Sequence, residues 1–191
     1  MYCGAMSNRG KQQKRDHKRF LYMIPVILWM VFIFYMSARD GQGSSSLSGG
    51  ITEKIGGLIE SLRNDTPSEE IRFMDALETL IRKLAHVAEY GILFGFVLLA
   101  VQKISLDSKA IYQYLLSFVI CFLFACTDEF HQLFVPGRHG SIPDVGIDMC
   151  GVFLCMLGER AIRNPGWRIT AVFITAVLLV GLFLFLLFFN F

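Results

Sequence analysis

The chain has 191 residues, 54% of them hydrophobic and 18% charged, with 18 phenylalanines and a formal net charge of +2. Soluble domains carry about a quarter charged residues, so this balance points away from a soluble domain and toward a membrane class. No Gly-rich phosphate loop, zinc-finger spacing or aromatic–basic interleaving is present, which excludes nucleic acid as an expected partner.

Residues 1–19 form a polar tail rich in Lys and Arg, with Asp16 its single acid. The uncharged run 20–37 follows. About 18 residues at 1.5 Å each reach roughly 27 Å, enough for the hydrocarbon core. The run is longer than the apolar region of a signal peptide, about 7–15 residues, and no A-x-A site follows. It reads as a first transmembrane helix, kinked at most by Pro25. Residues 38–82 change character: Gly41 to Gly50 is Gly/Ser-rich, and two amphipathic stripes follow, Ile51, Ile55, Leu58, Ile59 and Leu62, then Ile71, Met74, Leu77, Leu80 and Ile81. Pro67 interrupts between them. Both are too charged to span and are expected as short helices at the membrane surface or capping the bundle.

Four further spans are expected at about 84–101, 111–128, 144–160 and 169–189. The second contains Gly91 and Gly95 as a GxxxG pair that lets helices approach closely. The fourth is short and holds Asp148, so it would be stable in a bilayer only against protein or water. The fifth is uninterrupted and apolar. Four of the five cysteines, Cys121, Cys126, Cys150 and Cys155, lie in apolar runs and read as small packing residues.

Lys and Arg near span ends favour the cytoplasm. The basic tail and the links 102–109 and 160–168 therefore lie inside, whereas 38–82 and 134–143 lie outside. The expected fold is all-α: a polytopic transmembrane bundle of about five spans, N-terminus in and C-terminus out, one domain over 20–191 behind a basic cytoplasmic tail. This arrangement sends His86, Glu89 and Tyr90 to the outer end of the second helix. It sends Asp128, Glu129, His131 and Gln132 to the outer end of the third, and Asp144 and Asp148 to that of the fourth.

Spacing groups these residues on helix faces. Lys83, His86 and Tyr90 stand at i, i+3, i+7, with Glu89 at their border; Asp128 shares a face with His131 and Gln132; Asp144, Asp148, Gly151 and Cys155 form one stripe. Three readings compete. In the first, Glu129 or Asp148 beside a histidine acts as a general base while Arg138 holds an anionic group. In the second, two histidines and several carboxylates bind zinc or another divalent ion, although neither His86-x-x-Glu89 nor Asp128-x-x-His131 is a diagnostic spacing. In the third, the same groups only bond the outer loops and lock helices together.

The blocks Lys83-Leu-Ala-His86-Val-Ala-Glu89-Tyr90-Gly91, Asp128-Glu129-Phe130-His131-Gln132, Pro136-Gly137-Arg138, Asp144 and Asp148-x-x-Gly151 resemble the VanZ-like family of small bacterial integral membrane proteins. The likeness runs over roughly residues 30–160 and departs at Cys155 and Met156, in a stretch that is often smaller and richer in glycine. The family takes its name from a protein associated with reduced susceptibility to teicoplanin, a lipid-bearing glycopeptide antibiotic. The resemblance implies a multi-pass bacterial cell-membrane protein with membrane lipid, a glycopeptide or a lipid-linked cell-wall component as partner. Its expected role is in glycopeptide resistance or envelope homeostasis, through an outward-facing polar pocket. The candidate proton-handling residues are Glu129, His131, Asp148, His86 and Glu89; the candidate ligand-holding residues are Lys83, Tyr90, Asp128, Gln132, Arg138 and Asp144. The alternatives are an enzyme that modifies a lipid or cell-wall precursor, a transport protein, and a structural membrane protein.

Overall fold

A computed structural model describes residues 19–38, 67–105, 108–136 and 140–167. These form four α-helices: α1 (Met23–Ala38), α2 (Pro67–Ile104), α3 (Ala110–Gln132) and α4 (Ile142–Arg163), the last followed by a 3-10 turn at Pro165–Trp167. No strand occurs among the described residues. The basic tail up to residue 18, the Gly/Ser stretch, the first amphipathic stripe, Arg138 and the last apolar run at 169–189 lie outside them.

Local sequence explains where the helices begin and run. Pro67 is the first residue of α2, where its missing N–H would have had no intrahelical partner. The second amphipathic stripe does not form a separate surface helix. It continues into the span as one helix of 38 residues. The sequence from Ser68 to Tyr90 contains neither proline nor glycine, so nothing ends the hydrogen-bond ladder at Arg82. Pro143 likewise occupies the first turn of α4. Phe73–Ile104 within α2 and the 23-residue α3 are each long and apolar enough to cross a membrane; α1 is a shorter apolar helix of 16 residues.

Helices consecutive in the chain run in opposite directions, so α2 and α4, which pair Lys83 with Asp144 at one end and Gln102 with Arg163 at the other, run parallel. Tyr22, just before α1, lies under the ammonium of Lys103 near the end of α2, 5.9 Å from ring centroid to Nζ. Trp29 donates its indole N–H to the backbone carbonyl of Glu89 at 2.9 Å. Tyr114, at the start of α3, meets Glu159, near the end of α4. One end of the bundle therefore collects the last turns of α1 and α3, the first turns of α4 and the 83–90 stretch of α2. The other collects their opposite termini.

The core lies around α2, with Leu93, Phe94 and Val97 packed against Ile33 of α1, Cys121 and Phe124 of α3 and Val152 of α4. The closest approach is between α2 and α4. A Cβ on Gly151 would collide with the backbone carbonyl oxygen of Val87, and one on Gly91 would stand 3.2 Å from the carbonyl oxygen of Gly151. Only hydrogen fits at Gly151, and this contact brings the polar faces of the two helices within reach of each other.

Candidate functional site

Once α2 and α4 cross at Gly151, the preceding turns form two rungs. Lys83 and His86 are one turn apart on α2; Asp144 and Asp148 are one turn apart on α4. Lys83 Nζ lies 3.7 Å from Asp144 Oδ1, with the two side chains 16% and 35% exposed. His86 Nδ1 lies 3.4 Å from Asp148 Oδ1, and Asp148 is buried. The two rungs differ at their acids: Asp144 is partly exposed, whereas Asp148 is buried, and Lys83 and His86 are each partly covered. One turn deeper on α2, Tyr90 is fully buried.

A second polar group joins α1 to α3. Ser37 Oγ donates to Asp128 Oδ2 at 2.7 Å. Gln132, one turn after Asp128, donates its amide to the same oxygen at 3.2 Å and to Ser37 Oγ at 3.4 Å. All three side chains are buried. Glu129, the neighbour of Asp128, faces another way: its Oε2 accepts the backbone N–H of Ser141 at 2.8 Å. That places a carboxylate at the N-terminus of α4, where it satisfies a donor and complements the helix dipole.

These groups sense one another. Tyr90 lies in the electrostatic field of Asp148, Asp128, Glu129 and Glu89, and Asp148 in that of Asp128 and Asp144 as well as His86. What distinguishes the cluster is the set of polar atoms it leaves over. Among the described residues at this end, His86 Nδ1, Tyr90 Oη, Asp128 Oδ1, Asp148 Oδ2 and His131 Nδ1 are buried without a hydrogen-bond partner, His86 Nδ1 having only its ion-pair contact with Asp148. A buried polar atom left bare costs about 1–3 kcal/mol, and more if charged. An arrangement built for stability alone would avoid five such atoms at one end of one small bundle.

The remaining sequence candidates are placed as follows. His131 is half-buried against the Phe34 ring, with ring centroids 5.1 Å apart. Glu89 contributes its backbone carbonyl to Trp29 and also has further contacts of its own. Arg138 lies outside the described residues. Among the described residues, no three His, Cys, Asp or Glu side chains gather closely enough to hold a metal ion.

Sequence reasoning overlooked Ser37, Trp29, Phe34 and Ser141. Ser37 was findable: it is the last polar residue of the first apolar run, at the level assigned to the other blocks. Trp29 gave a weaker signal, the general need of a buried indole N–H for an acceptor. Phe34 and Ser141 gave none.

No curated protein and no solved structure matches the chain. The family model described as VanZ/LLP1 matches residues 22–163, from the start of α1 to the end of α4.

Proposed function

The chain belongs to the VanZ/LLP1 family, and from that membership we propose that it is a multi-pass bacterial cell-membrane protein whose polar helix ends face out of the cytoplasm and bind the head group of an amphiphilic envelope molecule. The basic tail and the basic links 102–109 and 160–168 support an N-terminus inside, about five spans and a C-terminus outside. The observation that carries the reading is that Tyr90, Asp128 and Asp148, on three different helices, are each buried with a bare polar atom. In a membrane such groups are expensive, and that cost supports a binding role for this end.

In this reading His86, Glu89, Glu129, His131 and Asp148 position the ligand or move protons. Lys83 and Arg138 hold an anionic group at the rim, and Asp144 and Gln132 complete the wall. A glycopeptide such as teicoplanin or a lipid-linked cell-wall component fits the required chemistry: an apolar anchor in the bilayer and a polar head at its surface. Alanine at Glu129 or at His131 is expected to abolish protection against teicoplanin while the protein remains at its normal level in the membrane. Full protection by both variants would remove the site from the argument.

A second reading is favoured by the His86–Asp148 contact, which is the arrangement of a histidine base with an orienting acid. The protein would then be an enzyme acting on a lipid or cell-wall precursor. Deleting it would change the lipid or muropeptide profile, and a copy carrying His86→Ala would fail to restore it.

A further inference from the structure

The balance of charge and of hydrogen-bonding capacity at the buried end is uneven. Asp128 is fully buried, and its described partners, the hydroxyl of Ser37 and the amide of Gln132, are both neutral and both bind Oδ2. Asp148 uses Oδ1 toward His86 and leaves Oδ2 bare. The ammonium of Lys83 is at the outer rung, on Asp144. Glu129 adds a further carboxylate within electrostatic range of both aspartates. In a low-dielectric setting a carboxylate needs a cation or a dense set of donors; the neutral donors on Asp128 leave that need unmet.

A cluster of acids alone would not identify a ligand. The independent observation is Tyr90. Its hydroxyl, fully buried and without a partner, lies in the field of both aspartates. Three bare oxygens therefore come from α2, α3 and α4: Tyr90 Oη, Asp128 Oδ1 and Asp148 Oδ2. A primary ammonium presents three N–H donors and one positive charge. Phe124, whose ring centroid is 6.1 Å from that of Tyr90, adds an aromatic wall, a surface cations tolerate.

We propose that the bare oxygens of Tyr90, Asp128 and Asp148 form a binding site for the primary ammonium group of an amphiphile. The inference rests on the head-group reading above and specifies it: the anionic part stays at the Lys83 rim, and the ammonium enters among the buried side chains of Tyr90, Asp128 and Asp148. Two sources carry this chemistry, an ethanolamine phospholipid and the amine of a glycopeptide.

The test uses the full chain purified in a maltoside detergent. Binding is measured for lysophosphatidylethanolamine against lysophosphatidylcholine, in which methyl groups replace every N–H, and for teicoplanin before and after acetylation of its primary amine. The amine-bearing member of at least one pair is expected to bind about tenfold or more tightly, the worth of a charge-assisted hydrogen bond. The pair that shows the preference identifies the source. Tyr90→Phe removes only an unpartnered hydroxyl, so it is expected to fold with an unchanged or higher thermal midpoint while losing that preference. Asp128→Asn keeps the shape and removes the charge, and should lose it too.

Equal binding within both pairs overturns the proposal, as does a preference that survives in Tyr90→Phe and Asp128→Asn. If protection still depends on Glu129 and His131 while no amine preference exists, the head-group reading stands and only the ammonium assignment fails. An amine preference with protection intact in both alanine variants has the opposite meaning.

Discussion

The two ends of the bundle use similar residues to opposite effect. At the end where α2 and α4 finish and α3 begins, Glu159 accepts a hydrogen bond from the Tyr114 hydroxyl and pairs with Arg163 one turn later. Arg163 also donates to Gln102 Oε1 of α2 at 3.0 Å, and the Arg160 guanidinium lies 6.0 Å from the Tyr114 ring centroid. Nearby, Gln113 closes the α2–α3 connection by donating to the carbonyl of Ser105 at 2.8 Å. The acid here has a cation beside it, and Arg163 is 61% exposed. At the Ser37 end, Asp128 and Asp148 are buried and each keeps an unused oxygen. The first arrangement is a latch that water can reach and that three helices share. The second leaves buried polar atoms without partners, at a cost in stability. Residue type does not separate the two; burial and the identity of the partners do.

Substitutions can sharpen or break this contrast, beginning with the one that removes the polar end as a whole. Gly151→Leu places a side chain where the Val87 carbonyl stands. Helix backbones cannot yield there as a flexible side chain would, so the cost is expected at about 3 kcal/mol or more. Membrane abundance and thermal midpoint should both fall sharply; a normal midpoint would mean that α2 and α4 do not cross at this glycine. Ser37→Ala has an intermediate expected effect. It strips Asp128 Oδ2 of its shortest hydrogen bond and should destabilise by about 1–3 kcal/mol, measured as a lower denaturation midpoint in detergent. No change would show that the α1–α3 group is not assembled. Arg163→Ala, at the latch, is expected to have the smallest effect, about 0–1 kcal/mol, because an exposed ion pair gains little over hydration. A loss as large as that of Ser37→Ala would erase the distinction between the ends.

The way each element was read follows from its physics. The helical class and the helices around 20–37, 111–128 and 144–160 were legible because apolar run length and helical spacing are local properties, and α1, α3 and α4 cover those positions. The join between the stripe at 71–81 and the following span was missed because a change in charge resembles a boundary, whereas a helix ends only where its backbone is interrupted. The gathering of His86, Tyr90, Asp128 and Asp148 at one end was also legible, since helices that alternate in direction bring every second end to the same level.

Pair identity was not legible. His86 and Asp148 are 62 positions apart, and Ser37 and Asp128 are 91 apart. Spacing within each helix gave their faces but not which faces meet. His131 illustrates the limit: it stands one turn from Asp128 in sequence, yet it packs against Phe34, while Gln132 and Ser37 take the carboxylate. The sequence by itself determined the helical class, the positions of α1, α3 and α4 and the end at which polar residues collect, because these depend on local hydrophobicity and chain direction. Only the tertiary structure decided which acids are paired and which oxygens remain bare, because that depends on how far each helix rotates about its axis and how closely it approaches its neighbour. The glycine at 151 fixes that approach for α2 and α4 by leaving room for a carbonyl group where any side chain would stand.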